Sequence, residues 1–416
     1  MTRLTQGLAR WLVPAMVATV TLAVLPGGET PFSGVKTGVL LVGSVALVLR
    51  AALLESGSPA PLAPRVLAGL WIGTLALSAL LGPAARPGAL WMDATAGLVL
   101  LALLQAPPEP GPALRAIAGA GTLLALVAVL QAVGVDPFHW VGWASNHPGE
   151  RMRVYGTLGN PNFVAAYLGA SLCLTLGEAV SASNAVQRRA WALAAVLQFG
   201  ALAATRSWGS LLALGAAALS LGWTRAPKKG LGARRWGAGV LAVLAVALLL
   251  LAVRERSLST VLAGRLYLWD VAARHVADAP VSGHGPGSFV TLWPSWEAEH
   301  WERGASAEQQ RFVAVQDHAH FDYLEWLLEL GLVGTVPRLL LLLAAFWAGR
   351  RAGDAQDRAL IAALAALAAR ALTDFPLARP AELCLFVVLI ALALGTGARR
   401  AVTLSPTPPA PPPSPA

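Results

Sequence analysis

Apolar runs of membrane-spanning length alternate with short polar breaks along most of this chain. A bilayer core needs about 20 apolar residues per helix, and the pattern predicts about twelve spans. They fall at 8–26, 34–54, 65–82, 89–105, 113–134, 161–180, 188–204, 207–223, 236–253, 332–349, 356–373 and 381–397. Pro and Gly clusters such as Pro26-Gly27-Gly28 and Gly82-Pro83 punctuate them. One stretch breaks the rhythm. From Arg254 to His320 the chain is polar, and it closes on Asp317-His318-Ala319-His320-Phe321-Asp322-Tyr323-Leu324-Glu325-Trp326. Inside it, apolar residues at 266, 269, 273 and 276 have helical spacing and predict an amphipathic helix near the membrane surface, stopped by Pro280. Gly283-His284-Gly285-Pro286-Gly287 reads as a sharp turn, with no strand before it and no helix signalled after it. The chain therefore divides into 1–253 with nine spans, the polar loop 254–320, 321–398 with three spans, and a Pro-rich tail over 399–416 expected to be extended and disordered.

Composition agrees. The 416 residues are 56% hydrophobic and only 13% charged, against about 25% charged in soluble domains. Cys173 and Cys384 both lie in apolar runs and form no disulfide framework or thiolate metal site. Much of the formal net charge of +9 sits in short loops, as a topology signal does, so no nucleic-acid partner is implied. With the N-terminus in the cytoplasm, Arg3, Arg10, Arg50, Arg65, Arg115, Arg188, Arg189, the group 225–235 and Arg399-Arg400 all fall inside. An even number of spans returns the C-terminus to the cytoplasm and puts the polar loop outside. Arg151, Arg153, Arg206, Arg370 and Arg379 then share the outer face with that loop. Cations held there against the positive-inside bias ask for an anionic partner.

Several stretches carry candidate chemistry. In Arg153-Val-Tyr-Gly-Thr-Leu-Gly-Asn160-Pro161-Asn162, Asn160 suits an N-cap and Pro161 the first helical position. A helix N-terminus beside Arg151 and Arg153 is either a capped helix with snorkelling arginines or an anion site. Arg206 stands in a turn almost too short to be a loop, as an interfacial arginine beside Trp208 or as a functional cation. Trp293, Trp296 and Trp301 read equally as an interfacial belt or as faces for sugar rings. His318 and His320 stand just before or at a helix start. They read as a solvent-exposed pair, as a general base, or, in His318-x-His320-x-Asp322, as half of a hydrolytic metal site, to which His275, His284 and His300 add no ligand spacing. Asp374 is placed to pair with Arg370 or Arg379.

Together these stretches resemble the O-antigen ligase and polymerase family of polytopic membrane proteins. The resemblance lies in Arg153…Asn162, Thr205-Arg206-Ser207, Gly264-Arg265-x-x-x-Trp269, Pro280…Gly283-x-Gly285-x-Gly287-x-Phe289, His320-x-Asp-Tyr-Leu-Glu-x-x-x-Glu-x-Gly331-x-x-Gly334 and Thr373-Asp374-Phe375 with Pro380. It covers roughly 150–395; before residue 150 only the hydropathy agrees. It implies an all-α polytopic fold of about twelve spans with one large periplasmic loop, similar to the large multi-spanning (GT-C-like) glycosyltransferases. It also implies transfer of a glycan from undecaprenyl diphosphate to an acceptor hydroxyl at the outer face of the bacterial inner membrane, without metal or nucleotide. Arg206 and Arg265 match the family's two essential arginines and His320 its loop histidine, giving a catalytic set. Arg153, Asn160, Asn162, His318 and Arg370 complete the expected site as substrate-binding residues. Phe321 stands where many members carry Asn, which leaves the acceptor open: lipid A core as the first expectation, another glycan or a protein hydroxyl as alternatives. A transporter is the reading from another class; it predicts charge near mid-membrane, where only Arg338 is a candidate.

Overall fold

The computed structural model describes residues 3–28, 30–53, 59–142, 153–224, 255–304, 306–350 and 353–403. The expected ninth span at 236–253, the basic group 225–235, Arg151 and the tail beyond 403 lie outside the described residues. Among those described there are thirteen α-helices and no strand. They are α1 Arg3–Leu22, α2 Gly34–Leu53, α3 Leu62–Leu81, α4 Pro87–Gln105, α5 Pro110–Ala132, α6 Pro161–Ser181, α7 Ala185–Thr205, α8 Gly209–Trp223, α9 Glu255–Arg274, α10 Phe289–Glu302, α11 Asp322–Gly349, α12 Ala355–Arg370 and α13 Pro380–Thr403. Six of them, α2 to α6 and α11, are long and apolar enough to cross a membrane.

The bundle is built around α13. Its stretch from Leu383 to Leu394 is buried throughout, and it packs on α1, α2, α4, α6, α11 and α12. The Ala-rich α12 lies between α6 and α8; small side chains let helix backbones approach closely where no water drives them together. Outward faces are apolar instead, as on α2 (Val42, Val45, Leu49) and α7 (Val186, Leu193, Val196), which suits contact with lipid.

Basic side chains mark the two ends of the bundle. At one end Arg50 donates to the Ala106 carbonyl at 2.6 Å and Arg65 to Gln105 at 3.0 Å. At the other, Lys36 donates to the carbonyls of Thr21, at the end of α1, at 3.0 Å and of Ala23, just past it, at 2.6 Å. The loop helices α9 and α10 sit at this second end and build a small core of their own from Tyr267, Leu268, Val271, Ala272, Phe289, Trp293, Trp296, Ala319 and Leu328.

Three sequence expectations change here. The amphipathic helix exists as α9, but its buried face is Tyr267, Leu268, Val271 and Ala272, while Leu266 is 54% exposed and Ala273 exposed; packing on α10 and α11 leaves only Trp269 and Val276 of the expected face partly buried. Trp293 and Trp296 are core residues, neither belt nor sugar platform. A helix does follow the glycine strip, beginning at Phe289. The strip itself is wedged between two parts of the bundle. His284 and Gly285 donate to the carbonyls of Leu328 and Glu329, and Ala84 and Arg86 donate to those of His284 and Pro286. Gly283, Gly285 and Gly287 all take positive φ, which glycine alone adopts freely.

Candidate active site

His320 ends the loop two residues before α11 and takes a positive φ of 51°. Its Nδ1 lies 2.9 Å from Oδ1 of Asp374, in the turn after α12. The other oxygen, Oδ2, accepts from Arg370 at 2.6 Å. Arg370 also donates to the hydroxyls of Thr373 at 3.0 Å and Ser207 at 3.1 Å. Ser207 in turn donates to Oδ1 of Asn162 at 2.8 Å. A chain of polar contacts thus runs from the loop histidine through the end of α12 to the start of α6.

Local sequence explains each placement. Asn160 caps α6, accepting from the Asn162 N–H at 2.8 Å, with Pro161 at the first position. This leaves the Asn162 side chain to meet Ser207. Arg206 is the αL cap of α7, with φ 54° and an exposed residue surface, directly before Ser207. Arg265, on α9, is close enough to Asp374, Arg370 and His320 to act on them electrostatically. Arg379 lies over the Phe163 ring at 4.6 Å. Phe375 joins the parts: Phe163 meets its edge at 5.3 Å, His318 stacks on it at 4.2 Å and His320 meets it edge-on at 4.6 Å.

The two histidines are set up in opposite senses. Burial lowers the pKa of His320; the hydrogen bond to Asp374 works against this, Arg265 works with it, and the net shift is down. Burial also opposes charge on His318, but Glu325, 2.7 Å from its Nδ1, outweighs it and the net shift is up. Burial resists charge on Asp374 too, yet Arg370, His320 and Arg265 outweigh it and hold this carboxyl down at about 2. Burial lowers Arg265 from its ordinary value, but an arginine stays a cation at any ordinary pH. An ionised Asp374 can only accept, so Nδ1 of His320 carries the proton and Nε2 is the basic nitrogen. The His320 side chain is 20% exposed, so a substrate can reach it.

The structure therefore brings together His320, Arg265, Arg370, Asn162 and His318, with Asn160 as the cap and Arg206 beside Ser207. Arg153 is exposed at the head of a segment tied elsewhere: Tyr155 bonds Asp136, the Gly156 N–H donates to Gln131, and Thr157 to the Thr21 carbonyl. Asp374 pairs with Arg370, one of the two partners the sequence offered. Sequence reasoning missed the Asp374–His320 contact, the Glu325–His318 pair, Ser207 and Phe375. It also missed Glu329, which accepts from the Gly287 and Phe289 N–H groups at 2.8 and 3.0 Å and ties the glycine strip to α11. Arg338 is buried against Asp93 and lies over the Trp71 ring at 4.5 Å, paired within the bundle. On the far side of His318 a cavity of about 490 Å³ is lined by Arg86, Asp317, His318, Glu325, Trp326 and Leu377, among others.

Residues 193–337 match a family model described as O-antigen ligase. Over that stretch the chain is similar to the O-antigen ligase family. The matched stretch holds Arg206, Arg265, His318 and His320; Asn160, Asn162, Arg370 and Asp374 reach the same site from outside it. No curated protein matches the chain.

Proposed function

We propose that the site transfers a glycan from undecaprenyl diphosphate to an acceptor hydroxyl at the periplasmic face of the bacterial inner membrane, as an inverting, metal-independent glycosyltransferase. Twelve spans in a GT-C-like arrangement, both termini in the cytoplasm and lipid A core as the acceptor belong to this reading. A polymerase or a protein oligosaccharyltransferase would use the same chemistry on another acceptor. The observation that carries it is the His320–Asp374–Arg370 chain set among Arg265, Arg206 and Arg379 at one end of an apolar bundle.

In this reading Nε2 of His320 takes the proton from the acceptor hydroxyl, whose oxygen attacks the anomeric carbon. The bond from that carbon to the diphosphate oxygen breaks, and its electron pair leaves with the diphosphate. Direct displacement inverts the carbon. Negative charge grows on the leaving group, so arginines that grip its oxygens favour the transition state over the ground state. Arg370 is buried and donates to Asp374, Ser207 and Thr373, so we assign it to holding the base, and the exposed Arg206 with Arg265 of α9 to the diphosphate.

Arg206→Ala, Arg265→Ala and His320→Ala, assayed as purified proteins with a lipid-diphosphate glycan and candidate acceptors, test this. His320→Ala is expected to lower kcat on the order of 10²–10⁴-fold. The arginine variants are expected to lose transfer at normal protein levels. Full activity in His320→Ala removes the base assignment.

A further inference from the structure

Resting on the reading of His320 as the base, we propose that Glu325 is a positioning residue that sets the conformation of His320 by clamping the peptide before it. Glu325 stands one turn into α11 and is nearly buried. One of its oxygens meets Nδ1 of His318 at 2.7 Å, and the other accepts from the Ala319 N–H at 2.7 Å. The carbonyl of the same Ala319 accepts from the Trp269 indole of α9 at 3.0 Å. Ala319 itself is fully buried. Both polar groups of this one residue are thus consumed by side chains from two different helices. On the far side of His320, the Asp322 N–H donates to the Ala371 carbonyl at 2.9 Å, and the Asp322 carboxyl accepts from the Leu377 N–H at 2.9 Å.

His320 is therefore held between two anchored points. A non-glycine residue keeps a left-handed backbone only where its surroundings over-determine it, and φ at His320 is 51°. Released from the clamp, the backbone would relax toward the ordinary helical or extended regions. The imidazole would then leave Asp374 and the face of Phe375. Glu325 touches no reacting atom in this scheme; it acts on the base through Ala319.

The test compares Glu325→Leu, which removes the clamp, with Glu325→Gln, whose amide oxygen still accepts from the Ala319 N–H. Purified full-length proteins are treated with diethyl pyrocarbonate, and modification of His320 is followed by peptide mass against the partly exposed His139 as internal reference. In Glu325→Leu the relative rate at His320 is expected to rise several-fold; in Glu325→Gln it should stay near wild type. In the transfer assay, Glu325→Leu should lose kcat while KM for the lipid donor holds. Should Glu325→Leu not fold, Trp269→Phe keeps an aromatic ring beside Phe321, deletes the bond to the Ala319 carbonyl and should move the rate in the same direction. An unchanged His320 rate in folded protein overturns the proposal. The modification rate needs no donor, so a moved rate in Glu325→Leu when the wild-type protein itself transfers nothing keeps the clamp and rejects the enzymatic reading instead.

Discussion

Among the described residues, His320 and Arg206 are the two non-glycine positions with positive φ, and both fall at the proposed reacting centre. Such backbone costs on the order of 1–3 kcal/mol and tends to gather at functional sites. The Asp374 carboxylate gives a pH prediction. The neutral form of His320 is the active one, so transfer falls as pH drops through its folded pKa. Burial sets that pKa below the ordinary value, so kcat/KM holds to lower pH than a free histidine, near 6.5, would allow. Asp374 raises the pKa against that trend. Asp374→Asn should therefore lower the plateau on the order of 10²-fold and move the acidic limb to still lower pH. A kcat/KM profile with an unmoved limb contradicts the pairing. Arg206 and His320 stand out in the sequence because each sits in a short local motif, and Arg265 enters through the resemblance. The Asp374–His320 contact was not, because it joins positions 54 residues apart, and no spacing rule reaches across a helical hairpin.

At the scale of the element, α11 decides the shape of the site. Hydropathy began this span at 332, because Asp322, Glu325 and Glu329 dilute the apolar run before it. The structure starts the helix at Asp322 and breaks it at Gly331, with φ 61° and ψ −168°. The carboxyls are accommodated by partners: Leu377 for Asp322, Ala319 and His318 for Glu325, and the glycine strip for Glu329. The break lets the strip cross, since a Cβ on Gly331 would run into the Val281 carbonyl. Gly331→Ala should cost at least about 1–3 kcal/mol from the backbone alone and lower the Tm in detergent. A variant as stable as wild type would show that the crossing is not tight. The shifted face of α9 has the same origin: periodicity finds a helix, whereas the neighbours it packs on choose the face.

For the whole molecule, the all-helical apolar bundle was legible from hydropathy. The helix packing around α13 was not, because a helix apolar on all sides carries no stripe to say which neighbour it meets. Cys173 and Cys384 are both buried, so single introduced cysteines report topology cleanly. Ser306→Cys, in the loop, should react with a membrane-impermeant maleimide in spheroplasts. Ser183→Cys, between α6 and α7 at the opposite end, should react only after lysis; the reverse pattern inverts the topology.

The central claim is that arginines at this site draw off a lipid diphosphate while His320 frees the attacking oxygen. It is tested most directly by incubating purified wild-type protein with an undecaprenyl-diphosphate glycan, an acceptor and excess chelator, and quantifying both products. Undecaprenyl diphosphate is expected to be released one-for-one with inverted glycan on the acceptor, with both products slowed on the order of 10²–10⁴-fold in His320→Ala. Transfer that stops with chelator and returns with added metal, or that proceeds equally without His320, would contradict it.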